Sequence, residues 1–391
     1  MHSTALLLGF CQFLFMAAAA VGISFNGLVG AELAASSMLA TFPFLFLTGS
    51  TALLTLILPK LFASLGYRGG FFLGAVLGVL GGLLCAWAVY AQSFWLFCLA
   101  CALIGGYQAS ALYYRFAAAD AVAAPDKSNA LAWVLSGGIL AALIGPWLGS
   151  RGLHFFQTEY LGSYLLTALL ALMAFPVLAV LPMPPRKTTP SHSTPVPFRL
   201  LLRHPTLFPA VLFCAGGYGV MMYVMFATPL AMYHGGFEAH DAASVIQWHL
   251  LGMFAPSLFT GKSIGRFGAY RVAVLGCVVL GLGCAVALSG DSLTVFHSAL
   301  LLIGMGWNFM YMGGSTLLAQ VNDDQVRSRL QALNEFFTFA VMTLSAGATG
   351  WLYYQLGWQK LLGSTLGLLA AITFMVILRH RKSPLATGVL G

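Results

Sequence analysis

Gly261-Lys262-Ser263-Ile264-Gly265-Arg266-Phe267-Gly268-Ala269-Tyr270-Arg271 is a polar stretch that separates two long apolar segments. A related stretch, Pro59-Lys60-Leu61-Phe62-Ala63-Ser64-Leu65-Gly66-Tyr67-Arg68, lies 202 positions earlier, so that Lys60 aligns with Lys262 and Gly66 with Gly268. The same offset aligns Ala130-Leu131 with Ala332-Leu333. This spacing predicts two parallel repeats, an arrangement typical of transporters that bind their substrate between the repeats, near the middle of the bilayer.

The composition places the chain in a membrane. Of its 391 residues, 60% are hydrophobic and 7% are charged, and the mean hydropathy is +0.89. A soluble domain carries about 25% charged residues, whereas a helix that crosses a bilayer needs about 20 apolar residues. We expect twelve such helices, at residues 4–26, 36–58, 69–90, 93–117, 129–150, 160–182, 206–232, 241–261, 270–289, 295–318, 330–353 and 359–378.

The basic residues orient these helices. The net charge is +8, and with both termini in the cytoplasm only Arg151 and Lys360, among 18 Lys and Arg residues, fall on the opposite side. This asymmetry follows the positive-inside rule. The basicity therefore indicates orientation in a lipid bilayer and not nucleic-acid binding, and it predicts a multi-pass protein of the bacterial inner membrane with cytoplasmic termini.

A segment rich in Pro, Ser and Thr separates the repeats, at Pro182-Met183-Pro184-Pro185-Arg186-Lys187-Thr188-Thr189-Pro190-Ser191-His192-Ser193-Thr194-Pro195. Such a composition is typical of a linker. We expect an all-α membrane protein with a six-helix half at residues 1–182, a cytoplasmic linker at 183–204 and a second six-helix half at 205–391. We also expect it to act as a monomer.

The chain resembles the major facilitator superfamily over its whole length. The two polar stretches are similar to the loop motif of that family, Gly-x-x-x-Asp-Arg-x-Gly-x-Arg, although Ala63 and Gly265 stand at the acidic position. The resemblance implies a twelve-helix transporter that works by alternating access. It also implies a gating role for residues of both copies, namely Lys60, Gly66, Arg68, Gly261, Arg266 and Gly268.

Two pairs of side chains, Met221-x-x-x-Met225 and His249-x-x-x-Met253, lie in the predicted seventh and eighth spans. Residues four apart share one face of a helix. The pairs are mirror-related about Phe237, so an antiparallel hairpin brings Met225 level with His249 and Met221 level with Met253. An ionisable residue at this depth costs roughly 2 kcal/mol or more, which makes His249 a functional candidate. The alternative is that the methionines fill gaps and the histidine bonds to a carbonyl.

Thioether sulfur and neutral imidazole suit a soft ion such as Cu(I) and suit Mg²⁺, Ca²⁺ or Mn²⁺ poorly. Cys214, seven residues before Met221, lies on the same helical stripe and could be a third sulfur on the path, although a packed thiol is the alternative. We therefore expect copper as the transported substrate, without a resident cofactor. Since ligation needs a neutral imidazole, binding should weaken when His249 becomes protonated.

These four residues resemble one branch of the superfamily, the CcoA-like copper importers, which have Met-x-x-x-Met in the seventh span and His-x-x-x-Met in the eighth. The resemblance implies copper import that supports assembly of cbb3-type cytochrome oxidase, with a periplasmic or cytoplasmic copper carrier as a partner. Sister members that resemble riboflavin transporters lack the two pairs. A transporter of a small organic solute such as riboflavin is one alternative, and a membrane receptor or assembly factor without transport is another.

Other polar residues within the spans are further candidates. Glu335 in the eleventh span is expected to carry a coupling proton or to pair with a cation, unless it only reaches cytoplasmic water. The residues expected either to line the cavity or to bond between helices are Gln12, Asn26, Gln108, Asn308 and Asn334. Since no nucleophile–base or paired-carboxylate arrangement stands out, we do not expect an enzyme.

Overall fold

A computed structural model describes residues 2–122, 127–182 and 197–382, and the ordered elements in these ranges are all helical. The predicted all-α membrane fold is confirmed. Two short turns, a 3₁₀ turn at Ser37–Leu39 and a π-helical turn at Leu212–Gly216, accompany the helices. The helices are α1 (His2–Leu33), α2 (Phe42–Tyr90), α3 (Phe94–Ala111), α4 (Tyr114–Asp120), α5 (Lys127–Gly152), α6 (Leu161–Val180), α7 (Phe198–Leu202), α8 (Leu207–Val211), α9 (Gly217–His234), α10 (Ala239–Phe254), α11 (Ser257–Phe267), α12 (Ala269–Ala287), α13 (Leu293–Ala319) and α14 (Asp324–Lys382).

Helix occupies all twelve positions at which we predicted a span. Ten segments within the described ranges are long and apolar enough to cross a membrane. One of them, Arg329–Leu378, covers the predicted eleventh and twelfth spans and is broken at Gly357, where φ is 72°. The predicted fifth span is helical in α5 but is not among the ten.

The two polar repeat stretches are helical for most of their length, which corrects their interpretation as loops. α2 continues through the first stretch and departs from helical geometry at Gly66 (φ 69°, ψ 172°). α11 covers most of the second stretch and stops at Gly268 (φ 87°, ψ 149°). This region of backbone conformation is almost exclusive to glycine. The internal repeat is therefore visible in the backbone, with one glycine at the same position of each copy turning the chain into the next helix.

The chain forms two compact units. Unit 1 consists of Met1–Thr188 with Phe226–Leu251 and Ala346–Gln355, and unit 2 of Thr189–Met225, Gly252–Ser345 and Leu356–Gly391. Unit 1 thus contains the predicted first half together with parts of α9, α10 and α14. Residues 183–196 of the predicted linker lie outside the described ranges, and the rest of that linker includes α7.

Within unit 1, specific contacts hold the parts of α9, α10 and α14 against the helices of the first half. Phe44 of α2 stacks on Phe226 of α9, with ring centroids 3.8 Å apart. The backbone N–H of Gly350 donates to Thr41 Oγ1 at 2.9 Å. Gln247 of α10 donates from Nε2 to the Leu143 carbonyl at 2.6 Å. These contacts join the parts of α9, α10 and α14 to the helices of the first half.

Small residues allow helices to pack closely in unit 2. A Cβ added at Gly276 of α12 would lie 2.6 Å from the Met310 nitrogen of α13, and one at Gly252 of α10 would lie 2.3 Å from the Leu301 carbonyl oxygen. Close backbone approach at small residues is a common basis for helix association in membranes. α13 is thereby held against both α10 and α12.

Candidate functional site

The four predicted copper ligands lie in two helices joined by a short connection. Met221 and Met225 belong to α9, and His249 and Met253 belong to α10. Residues 235–238 connect the helices. All four side chains are buried, with exposed fractions of 0%, 1%, 0% and 7% in sequence order. Each pair thus places its sulfur or nitrogen donors away from solvent, and their joint coordination of an ion stays a prediction.

Asn308 of α13 holds the end of α10, where Met253 lies in the last turn. Asn308 donates from Nδ2 to the Met253 carbonyl and to Ser257 Oγ, each at 2.8 Å. It also accepts a hydrogen bond from Thr260 Oγ1 at 2.8 Å. The carbonyls of a last helical turn have no partner within the helix, so Asn308 satisfies one of them. Asn308 has 3% of its surface exposed. Of the two roles expected from the sequence, lining the cavity or bonding between helices, these contacts correspond to the second.

The other cavity candidates are divided between the units. Asn26 in unit 1 is fully buried and accepts a hydrogen bond from the Tyr164 hydroxyl at Oδ1, at 2.8 Å. Gln12 and Gln108, also in unit 1, are half-buried. Asn334 in unit 2 is 2% exposed, and its Oδ1 has no hydrogen-bond partner among the described residues. These candidates are therefore distributed between two parts of the molecule.

Cys214, Tyr311 and Glu335 form a connected group in unit 2. The Cys214 thiol lies 3.6 Å from the Tyr311 carbonyl oxygen and 3.7 Å from Ser315 Oγ. The Tyr311 hydroxyl donates to Glu335 Oε1 at 3.1 Å. Glu335 is half-buried in α14. Its hydrogen bond to a tyrosine shows that Glu335 takes part in a polar network inside the helices.

An aromatic cluster adjoins this group and was not predicted. Trp307 and Tyr311 of α13 stack with ring centroids 5.3 Å apart, and Tyr218 of α9 meets both rings edge-on, at 4.8 and 5.5 Å. The Trp307 Nε1–H is buried and has no hydrogen-bond partner among the described residues. The spacing of Trp307 and Tyr311, four residues apart on one helix face, was the available sequence signal.

The predicted gating residues have different environments. Arg68 donates from Nη2 to the carbonyls of Ala179 and Leu181, both at 2.8 Å, and so binds the C-terminal end of α6. A cation is favourable at this end of a helix dipole. Arg266 lies over the ring of Phe267, 5.3 Å from its centroid. Gly261 is exposed. The side chain of Lys60 is outside the part of the chain that the structure describes.

The described residues contain no group of three or more His, Cys, Asp or Glu side chains arranged to hold a metal ion. Methionine does not belong to that set of donors, so the predicted Met/His ligands are not covered by this finding. At the α9–α10 connection, His240 lies 3.1 Å from Glu238 and 3.4 Å from Asp241. His240 and Glu238 are exposed there.

A cavity of about 550 Å³ lies in unit 2 where α11 and α13 end and α12 begins. Its lining includes His204, Gly268, Arg271 and Asn322. Burial lowers the pKa of His204, whose Nδ1 lies 2.7 Å from Thr206 Oγ1. None of the predicted copper ligands lines this cavity, which contains the glycine of the second polar repeat.

Comparisons with known proteins agree on a transporter. The chain is 35% identical over 360 residues to the riboflavin transporter RfnT of Brucella anthropi, covering 91% of this chain and 90% of that protein. It is 25% identical over 363 residues to the uncharacterized MFS-type transporter YddS of Bacillus subtilis, covering 88% and 82% of the two chains. No protein-family model matches the chain. The riboflavin transporter agrees with the organic-solute alternative and not with copper.

Two solved structures share the fold. One is a bacterial homologue of the human lysosomal transporter Spinster in an inward-facing, occupied conformation, with a TM-score of 0.71, 14% identity and coverage of 97% and 96%. The other is the nucleoside transporter NupG, with a TM-score of 0.72, 14% identity and coverage of 97% and 99%. At such identities the likeness concerns the fold alone, since one fold serves many functions.

Proposed function

Because the chain belongs to the major facilitator superfamily of transporters, we propose that it imports copper across the bacterial inner membrane by alternating access. Met221, Met225, His249 and Met253 are the proposed ligands. Copper delivered in this way would support assembly of cbb3-type cytochrome oxidase, with a carrier protein handing over or receiving the ion. No catalytic step is part of the proposal.

The observation that carries the proposal is the burial of all four donor side chains. They form two pairs, and the members of each pair are four residues apart in one helix. A histidine inside membrane-spanning helices is functional by default because an ionisable group is costly there. Thioethers are neutral and soft, so they favour Cu(I) over hard cations. A transporter also has to release its ion, and weak neutral ligands serve that need better than a set of thiolates.

Overall similarity favours a second candidate, an organic solute with a flat aromatic ring. The relative RfnT, 35% identical, is named a riboflavin transporter, and riboflavin contains a planar heteroaromatic ring system. The cluster of Tyr218, Trp307 and Tyr311 offers aromatic surface, and the Trp307 N–H lacks a hydrogen-bond partner in the described structure. Offset stacking on such rings is favourable.

We place copper first because a few side chains at the site, more than overall identity, determine what a shared fold carries. The two candidates depend on separate residues: the Met and His pairs for copper, and the aromatic cluster for a flavin. A third class, a receptor or assembly factor without transport, needs no flux of either substrate. The choice can therefore be made with single substitutions.

The test is uptake of radioactive copper and of labelled riboflavin by cells that carry the wild type or variants. Met221→Leu, Met225→Leu and Met253→Leu remove sulfur while nearly conserving volume, and His249→Leu removes the imidazole. The matched control is Met222→Leu, since Met222 is also buried in α9 but belongs to neither pair. Membrane abundance of each variant is measured by immunoblot.

We expect copper uptake to fall about tenfold or more in the four variants and to persist in the control. Mutating even the groups that support metal ligands typically costs about 10–100-fold in metal affinity or activity. Equal copper uptake by all five variants would refute the copper site. Riboflavin uptake by the wild type, lost on Trp307→Ala, would establish the second candidate instead. Absence of both fluxes would leave the non-transporting class.

A further inference from the structure

The two copies of the polar repeat differ in the contacts that surround them. In the first copy, the Tyr67 hydroxyl of α2 donates to Asp120 Oδ2 of α4 at 2.9 Å. The offset of 202 residues that relates the copies places Ala269 and Asn322 at these two positions of the second copy. The second copy therefore lacks both the phenol ring and the carboxylate. Ala269 and Asn322 instead line the cavity of about 550 Å³ in unit 2.

The charge of this cavity favours an anion. Arg271 contributes a guanidinium group to its lining, and Gln320 and Asn322 contribute neutral amides. Among the described residues that line the cavity, none carries a carboxylate. A guanidinium group binds phosphate through paired N–H donors, which makes arginine a frequent residue in phosphate sites. A ligand that carries a phosphate group therefore matches the side chains present.

His204 adds a hydrogen-bond donor to the lining of the cavity. The backbone N–H of Thr206 donates to His204 Nδ1 at 3.4 Å, and Thr206 Oγ1 lies 2.7 Å from the same nitrogen. Since Nδ1 accepts a hydrogen bond, the proton of the neutral imidazole is on Nε2. His204 thus offers an N–H donor even when it carries no charge. The first turn of α12, which also lines the cavity, adds the positive end of a helix dipole.

The helix beside the cavity favours a phospholipid as the carrier of the phosphate. α11 exposes large apolar side chains, with Leu258 72% and Phe267 53% exposed, and Phe267 also lines the cavity. The same helix carries Lys262 and Arg266. Apolar and basic side chains together on one helix are typical of a membrane interface. The distribution of Lys and Arg predicts that this end of the molecule faces the cytoplasm, the side on which basic pockets between helices bind anionic headgroups.

We propose that this cavity binds the headgroup phosphate of an anionic phospholipid from the cytoplasmic leaflet. Arg271 and the Nε2–H group of His204 hold the phosphate, and an acyl chain lies along the exposed ring of Phe267. The bound lipid stabilises the turn at Gly268, where α11 ends and α12 begins. The site goes beyond the proposed copper transport and is independent of it, since none of the proposed copper ligands lines this cavity.

The test is native mass spectrometry of the full-length protein in detergent micelles, titrated with phosphatidylglycerol in the absence of copper. Arg271→Gln removes the guanidinium group, and Asn322→Asp keeps the size of the side chain while it introduces the carboxylate of the first copy. Arg203→Gln is the matched control, because Arg203 is an exposed basic residue of unit 2 next to His204 that does not line the cavity. We expect lipid affinity to fall about fivefold in each of the two cavity variants, the factor that one basic residue contributes near anionic lipid.

Inorganic phosphate, added as a competitor, distinguishes a lipid from a soluble phosphate compound. At equal concentration it should leave the lipid bound, because the acyl chains add apolar contact that free phosphate lacks. Displacement of the lipid by inorganic phosphate would refute the lipid and assign the cavity to a soluble phosphate compound. A loss of affinity in Arg203→Gln as large as in Arg271→Gln would refute the cavity as the site, since surface charge alone would then account for binding. Absence of phosphatidylglycerol binding by the wild type would refute the proposal and leave the copper proposal untouched.

Discussion

Replacing Asn308 by leucine should destabilise the protein through three identified hydrogen bonds. Asn308 binds the Met253 carbonyl, Ser257 Oγ and Thr260 Oγ1, each at 2.8 Å, and is 3% exposed. Hydrogen bonds inside membrane proteins contribute about 0.6 kcal/mol on average, and those of soluble proteins about 1 kcal/mol. Three bonds therefore correspond to about 2–3 kcal/mol of unfolding free energy, because leucine keeps the volume but bonds to none of the three partners.

The measurement is the free energy of unfolding in detergent micelles titrated with sodium dodecyl sulfate. Ser298→Ala is the matched control, since Ser298 is a residue of α13 whose hydroxyl bonds to its own helix at Thr294; we expect a change within about 0.5 kcal/mol for it. Asn308→Leu should also lose copper uptake, because Asn308 fixes the helical turn that carries Met253. A loss of stability by Asn308→Leu no larger than that of Ser298→Ala would refute the reasoning.

Three further predictions follow from single contacts. Gly268→Ala should cost about 1–3 kcal/mol of unfolding free energy, since φ is 87° there and a side chain strains that conformation; the same titration measures it, and an unchanged midpoint would contradict it. Tyr164→Phe should cost about 1–3 kcal/mol, because buried Asn26 Oδ1 loses its donor, and a cost equal to that of exposed Tyr90→Phe would count against it. Trp307→Ala should leave copper uptake within about twofold of the wild type if the aromatic cluster serves no copper step, and a tenfold loss in the uptake assay would show otherwise.

The sequence was sufficient to predict the helical membrane fold because twenty-residue apolar segments have few alternatives in a bilayer. It also located the short connection between α9 and α10. It did not predict that Pro59–Leu65 and Gly261–Phe267 are helical, because polar residues in a short stretch fit a helix end as well as a loop. The backbone at Gly66 and Gly268 resolved that ambiguity.

The environment of each candidate side chain was less predictable. Asn308 and Asn26 are both buried asparagines within helices, yet Asn308 joins three partners on the α10–α11 segment and Asn26 has one tyrosine partner. Such partners come from helices distant in sequence, so spacing within one helix carries no information about them. The same reason explains why Tyr218 was missed: its aromatic partners lie about ninety residues later in the chain.

The contacts between Phe44 and Phe226 and between Thr41 and Gly350 bear on the rate of the transport cycle. If alternating access opens the molecule between these groups, they have to separate and re-form in every cycle. An aromatic pair contributes about 0.5–1.5 kcal/mol and a hydrogen bond about 1 kcal/mol, so together they can change an opening rate by about tenfold or more. Sequence changes at these four positions can thus retune turnover while the groups that bind the substrate, and their affinity for it, stay the same.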